Sequence, residues 1–116
     1  MGAARTMAGD EKPLRRLKRK LTVETLWLYV LAALSAHGPT YAYNVKKLIQ
    51  EMFGFKPSTA TLYTVIYRLE RGGYLKNVGG EYSVTPKGAQ LLREGLEFLE
   101  STTSTLRSIV GGSNGP

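Results

Sequence analysis

The chain has 116 residues, 42% hydrophobic and 22% charged, which argues against wholesale disorder and leads to the expectation of one small globular domain with no room for a separate catalytic or sensory module. Its formal net charge of +7, from 16 Lys and Arg against 9 Asp and Glu, favours a polyanionic partner. Cysteine is absent, so disulfides and thiolate metal sites are excluded.

The basic charge is concentrated at the front: residues 1 to 20 hold seven basic and two acidic groups, whereas residues 94 to 116 hold one and three. Residues 1 to 13 show no apolar period, and residues 1 to 20 are expected to form a flexible basic arm. Arg15, Arg16, Lys18, Arg19 and Lys20 have two readings. They are either an arm that follows phosphates or enters a minor groove, or a charge run that is merely solvated.

Residues 21 to 85 read as a winged helix-turn-helix unit. Thr22 is placed to cap a first helix running to about Ala36, and His37, Gly38 and Pro39 stop it. The run from Leu26 to Leu34 is apolar nearly all round, so it calls for cover beyond its own domain. It is far short of the roughly 20 residues of a membrane span. No secretory signal is visible, and the expected location is the cytoplasm.

Thr40 is placed to cap a second helix carrying Val45, Leu48, Ile49 and Met52 at helical spacing, with Lys46, Lys47 and Gln50 outward. It ends near Gly54. Ser58 is placed to cap a third helix lined inwardly by Leu62, Val65, Ile66 and Leu69, closed by Gly72 and Gly73. Gly79 and Gly80 then separate two strand-like runs, as a two-residue hairpin requires. That turn sets Leu75 opposite Val84 and Asn77 opposite Tyr82, with Lys76 and Ser83 on the other face.

Thr85 and Pro86 announce a last helix over 86 to 110, with Leu92, Leu96, Leu99 and Leu106 forming a stripe longer than the domain before it. The expectation is a C-terminal dimerisation helix followed by a disordered tail over 111 to 116. The fold class is therefore mostly α with a small β-hairpin wing.

Residues 25 to 92 resemble the PadR family of transcriptional regulators, in the branch with a single C-terminal helix. The resemblance is carried by Leu31, Ala33, Leu34, Gly38, Pro39 and Tyr43, by Thr61, Leu62, Tyr63, Arg68, Leu69, Glu70, Gly73, Tyr74 and Leu75, and by Tyr82, Val84, Thr85, Lys87, Gly88, Leu91 and Leu92. Where the family commonly has Gly before Tyr43 and Pro after Tyr63, this chain has Ala42 and Thr64. The resemblance implies a homodimeric DNA-binding repressor, often one responding to small molecules or stress.

The third helix meets the requirements of a recognition helix, since Ser58, Thr59, Thr61, Tyr63, Thr64, Tyr67 and Arg68 offer hydroxyls and a guanidinium opposite its apolar side. The alternative is a solvated face whose hydroxyls bond locally. Lys76 and Asn77 are the wing's candidate contacts to a backbone or minor groove. Tyr63 reads equally as a structural aromatic, and Tyr43 reads as structural.

For the dimer interface the candidates are Trp27, Leu31, Leu92, Leu96, Leu99 and Leu106. Trp27 has a second reading as a platform for a planar ligand. His37, the lone histidine, reads as a turn residue and makes neither a metal site nor a triad. The expected partners are double-stranded DNA, a second copy of the chain and a small-molecule effector, with no membrane, metal or cofactor. No nucleophile, base and acid constellation can be assembled, so no enzyme is expected. The competing function is a winged-helix module for protein assembly without DNA specificity.

Overall fold

The computed structural model describes residues 11–111. In chain order it contains α1 (Lys12–Lys20), a 3₁₀ turn (Val23–Thr25), α2 (Leu26–His37), β1 (Thr40–Tyr41), α3 (Ala42–Phe53), α4 (Thr59–Arg71), β2 (Leu75–Val78), β3 (Glu81–Val84) and α5 (Pro86–Gly111). This is the winged helix-turn-helix order read from the sequence. Residues 1–10 and 112–116, which include part of the expected arm and most of the expected tail, lie outside the described residues.

The core forms where α2, α3 and α4 bring together residues at helical spacing. Val30, Leu31, Ala33, Val45, Ile49 and Leu62 are fully buried, with Ile66, Leu75 and Tyr82 closing the cluster from α4 and the wing. Burying each large aliphatic side chain contributes roughly 1.5–3 kcal/mol. This cluster thus fixes how α4 lies against the rest of the domain.

The wing has the register set by its glycines. Leu75 pairs with Val84, Lys76 with Ser83 and Asn77 with Tyr82, while Gly79 and Gly80 both take positive φ, 62° and 92°. Two consecutive residues in that region make the turn whose twist matches the flanking strands.

Three local features differ from the sequence reading. First, β1 is a third strand: Thr40 pairs with Tyr82 and Tyr41 with Glu81, giving the antiparallel order β1-β3-β2. Two residues are too short to show an alternation. Second, neither expected threonine cap forms. Thr22 Oγ1 donates to the Lys18 carbonyl at 2.7 Å and α2 begins at Leu26 after the 3₁₀ turn. Thr40 Oγ1 accepts from Asn44 Nδ2 at 3.0 Å, leaving Tyr41 at the start of α3.

Third, residues 12–20 are helical rather than a flexible arm. Pro13 sits in the first turn, where its missing N–H costs nothing, and Lys18, Arg19 and Lys20 occupy the last turn, where cations complement the helix dipole. The chain after α1 is held by Tyr29, whose hydroxyl donates to the Leu21 carbonyl.

Candidate nucleic-acid interface

The start of α4 is built by Ser58, whose extended backbone aims its side chain at the helix and whose Oγ accepts from the Thr61 N–H at 3.2 Å. The N–H groups of Thr59 and Ala60 have no intrahelical acceptor, because a first turn has none to offer. Beside them Lys46 Nζ donates to Thr59 Oγ1 at 2.9 Å. An ammonium and the positive end of the helix dipole therefore converge at one point, a combination that attracts phosphate.

Leu62, Ile66 and Leu69 bury one side of α4. Opposite them Ala60, Thr64, Tyr67 and Arg71 are exposed, flanked by exposed Tyr63 on one side and exposed Thr61 and Arg68 on the other. Ser58 and Thr59 are exposed at the helix start. Tyr67 is the most open of the α4 aromatics at 61% exposure, against 38% for Tyr63. Thr64 Oγ1 donates to the Ala60 carbonyl at 3.0 Å. Its only proton is thereby used, and what it presents outward is a methyl group and an acceptor lone pair.

The two wing candidates separate. Lys76 is exposed on the sheet's outer face with Ser83 as its cross-strand neighbour. Asn77 is occupied within the hairpin: its Oδ1 accepts from the Gly80 N–H at 2.9 Å, and its side chain also bonds the Tyr82 hydroxyl. Burial raises the Tyr82 pKa, and the bond to Asn77 opposes that shift. Asn77 Oδ1 thus holds the turn, and the residue remains exposed on the wing.

Of the basic segment, Arg15, Arg16, Lys18, Arg19 and Lys20 are all exposed on α1. Arg19 and Lys20 reach Glu24 at 3.4 and 3.2 Å. Glu24 has its pKa lowered, first by the hydrogen bond and charge of Lys20, with desolvation opposing and the charge and hydrogen bond of Arg19 adding to the lowering. Those contacts tie α1 to the turn before α2.

The sequence-predicted dimer residues also separate. Leu31 is fully buried inside the single chain, so its assignment to a subunit contact does not hold: it packs the core beneath α2. Trp27 and Leu92 are half-buried where α2 meets α5, and Leu99 is half-buried further along. Leu96 and Leu106 are 47% and 59% exposed. Among the described residues of α5 only Gly88 is buried, although the helix runs 26 residues, about 39 Å at 1.5 Å per residue. The side that meets Trp27 and Leu28 at Gly95 continues past the domain as Leu99, Leu106 and Val110.

Two further features were not read from the sequence. Lys46 belongs to the site through Thr59, a contact across 13 residues that only the packing of α3 on α4 creates. A cleft of about 460 Å³ opens beside the exposed side of α4, its lining including Trp27, Val65, Tyr74, Leu91, Thr61 and Arg68. Trp27 supplies the apolar wall expected of a ligand platform. No described helix is long and apolar enough to cross a membrane.

Residues 30–94 match the family described as the transcriptional regulator PadR-like family. A solved PadR family transcriptional regulator from Eggerthella lenta is similar at 26% identity, with a TM-score of 0.68, over 90% of this chain and 96% of that one. A transcriptional regulator from Clostridium thermocellum shares 26% identity at a TM-score of 0.65, over 73% of this chain and 92% of that one. The complex structure of hsRosR-S1 shares the fold at 21% identity and a TM-score of 0.58, over 79% of this chain and 90% of that one. No protein of curated function matches the sequence.

Proposed function

Because the chain belongs to the PadR-like family of transcriptional regulators, we propose that it represses transcription by binding duplex DNA as a homodimer. In this reading α4 enters the major groove and the wing lies on the backbone or in the minor groove. One observation carries the reading: a helix locked to the core by Leu62, Ile66 and Leu69 turns hydroxyls, an arginine pair and a cation-flanked N-terminus to solvent. Such a face meets the needs of groove insertion, with phosphate contacts fixing the register and side chains reading base edges.

The dimer is supported by α5, whose packed side continues as an apolar stripe through half-buried Leu99 to exposed Leu106 and Val110. A two-fold pair would set two α4 helices about 34 Å apart, one turn of DNA, and so demand a pseudo-palindromic site. Selection of bound fragments from random duplex DNA tests the reading. The expected result is an inverted repeat with half-site centres about 10 base pairs apart. Failure to retain any duplex at low salt would overturn it.

The cleft beside Trp27 is the natural seat for a small-molecule effector, because a ligand there would touch Thr61 and Arg68 of the recognition helix. Trp27 is the chain's only tryptophan, so its fluorescence reports occupancy directly. Planar aromatic ligands should quench it at the concentrations that release DNA, and quenching without release would separate the cleft from regulation.

A further inference from the structure

We propose that Tyr41 and Tyr43 form a second DNA-contacting element, a stacked pair that holds the sugar–phosphate backbone between α4 and the wing tip. The inference rests on the DNA-binding reading above and extends it to a segment outside the recognition helix and the hairpin.

The two rings lie parallel, with centroids 5.6 Å apart and an interplanar angle of 5°. Tyr41 is 42% exposed and Tyr43 is 70% exposed, so neither serves the core. Stacking restricts both rings, which already have few torsions, and less freedom is then lost when they meet a partner. The pair is a preformed surface with two phenolic hydroxyls at its edge.

Its place in the fold points to the occupant. Tyr41 belongs to β1 and pairs with Glu81, so its ring stands over the wing tip: a methyl group added to Gly80 would lie 3.3 Å from Tyr41 Cε1. The tip itself is two glycines and offers no side chains to a ligand. On the other side, Ala42 shares a small depression of about 80 Å³ with Tyr63, Ile66, Tyr67 and Tyr82. The surface is therefore continuous from Tyr67 on α4, across Ala42, to the Tyr41–Tyr43 pair and the wing. A duplex that touches both α4 and the wing must pass its backbone over that strip.

The chemistry suits a backbone rather than a base edge. A phenol donates one hydrogen bond to a phosphate oxygen, and its ring covers the apolar part of a deoxyribose. Glu81 faces the same side as Tyr41, as register partners on neighbouring strands do, so the local charge opposes phosphate. The contribution of the pair is thus hydrogen bonding and apolar cover, whereas Lys46 and the lysines and arginines supply the Coulombic part. Hydroxyl contacts release no counterions, and this makes the two contributions separable by salt.

The test uses the full chain, a random-sequence duplex and the selected site, each titrated over a range of salt. Tyr43→Phe is expected to weaken binding to both duplexes roughly two- to tenfold, the loss of one hydrogen bond. The double variant Tyr41→Ala/Tyr43→Ala should weaken it further, and in both cases the salt slope stays at the wild-type value. Glu81→Gln should strengthen binding. Circular dichroism and sedimentation should show wild-type fold and assembly throughout. Wild-type affinity in the double variant, or an altered oligomeric state, would overturn the inference while leaving DNA binding by α4 intact. If the unaltered chain binds neither duplex, the parent reading fails instead.

Discussion

The Lys87 ammonium donates to the Gly72 carbonyl at 2.7 Å and lies 4.8 Å from the centre of the Tyr74 ring, joining the first turn of α5 to the segment that closes α4. Thr85 reinforces the joint: its Oγ1 donates to the Gly73 carbonyl at 2.6 Å and accepts from the Gly88 N–H at 3.1 Å. The end of α4 and the start of α5, the helix proposed to dimerise, are thereby joined through side-chain bonds. A pseudo-palindrome with defined spacing requires such a joint, since the subunit contact can set the distance between two α4 helices only if each is rigid relative to its own α5.

Replacing Gly88 by alanine should break this joint. The added methyl would collide with the Tyr74 carbonyl oxygen, a backbone atom that cannot rotate away. Overpacking of this kind costs about 1–3 kcal/mol, and the loss should appear in denaturant unfolding as a lower midpoint at constant slope. Lys87→Met should cost about 1 kcal/mol by removing one charged hydrogen bond at an exposed site.

Charge placed on the α5 overhang should dissociate the dimer. In Leu99→Glu/Leu106→Glu the stripe beyond the domain becomes unable to pack, whereas the core residues are untouched. Sedimentation should show a monomer of wild-type helicity, and affinity for the selected site should fall by roughly 10²-fold as two linked contacts become independent. A stable dimer in this variant would place the subunit contact elsewhere.

The α1 helix makes its own prediction, because its basic groups either follow phosphates or stay solvated. Arg16→Ala/Lys18→Ala leaves the Arg19 and Lys20 contacts to Glu24 in place. If both cations neutralise phosphates, the slope of log affinity against log salt should become shallower by about 2. An unchanged slope would assign the helix to solvent.

Acid should loosen α1 before it unfolds the domain. The Glu24 carboxyl has a pKa below the ordinary 4.5 because Lys20, and then Arg19, favour its charged form. A depressed folded value means that the anchoring is complete above 4.5 and is lost as pH falls through the lowered value. Amide exchange over residues 12–20 should accelerate in that window, and Glu24→Gln should show the fast exchange already at neutral pH.

Several parts of this structure were legible because a local rule has one solution. Gly79-Gly80 admits a two-residue turn, and that turn alone sets the Leu75–Val84 register. Ser58 and Thr85 precede helices and cap them with the bonds their chemistry offers. The apolar spacing of Leu62, Ile66 and Leu69 likewise dictates which side of α4 is free.

What escaped depends on contacts distant in sequence or on competing local bonds. Thr22 and Thr40 have the chemistry of caps, yet their hydroxyls are taken by Lys18 and Asn44. An all-apolar run gave no means of telling that Leu31 faces inward while Trp27 remains half open. Tyr43 read as structural, yet it lies on the side of α3 away from buried Val45, Leu48 and Ile49 and is exposed. The α1 helix did carry a signal: Pro13 at a helix start, followed by Leu14, Leu17 and Leu21 at helical spacing.

The central claim is that the outer side of α4 occupies a major groove, and guanine N7 lies only there. Methylation of N7 by dimethyl sulfate on the selected duplex measures it directly. The account predicts two protected patches about 10 base pairs apart, both lost in Thr64→Ala/Arg68→Ala while the protein remains folded and dimeric. Tight binding with no N7 protection, or protection indifferent to those substitutions, would contradict it.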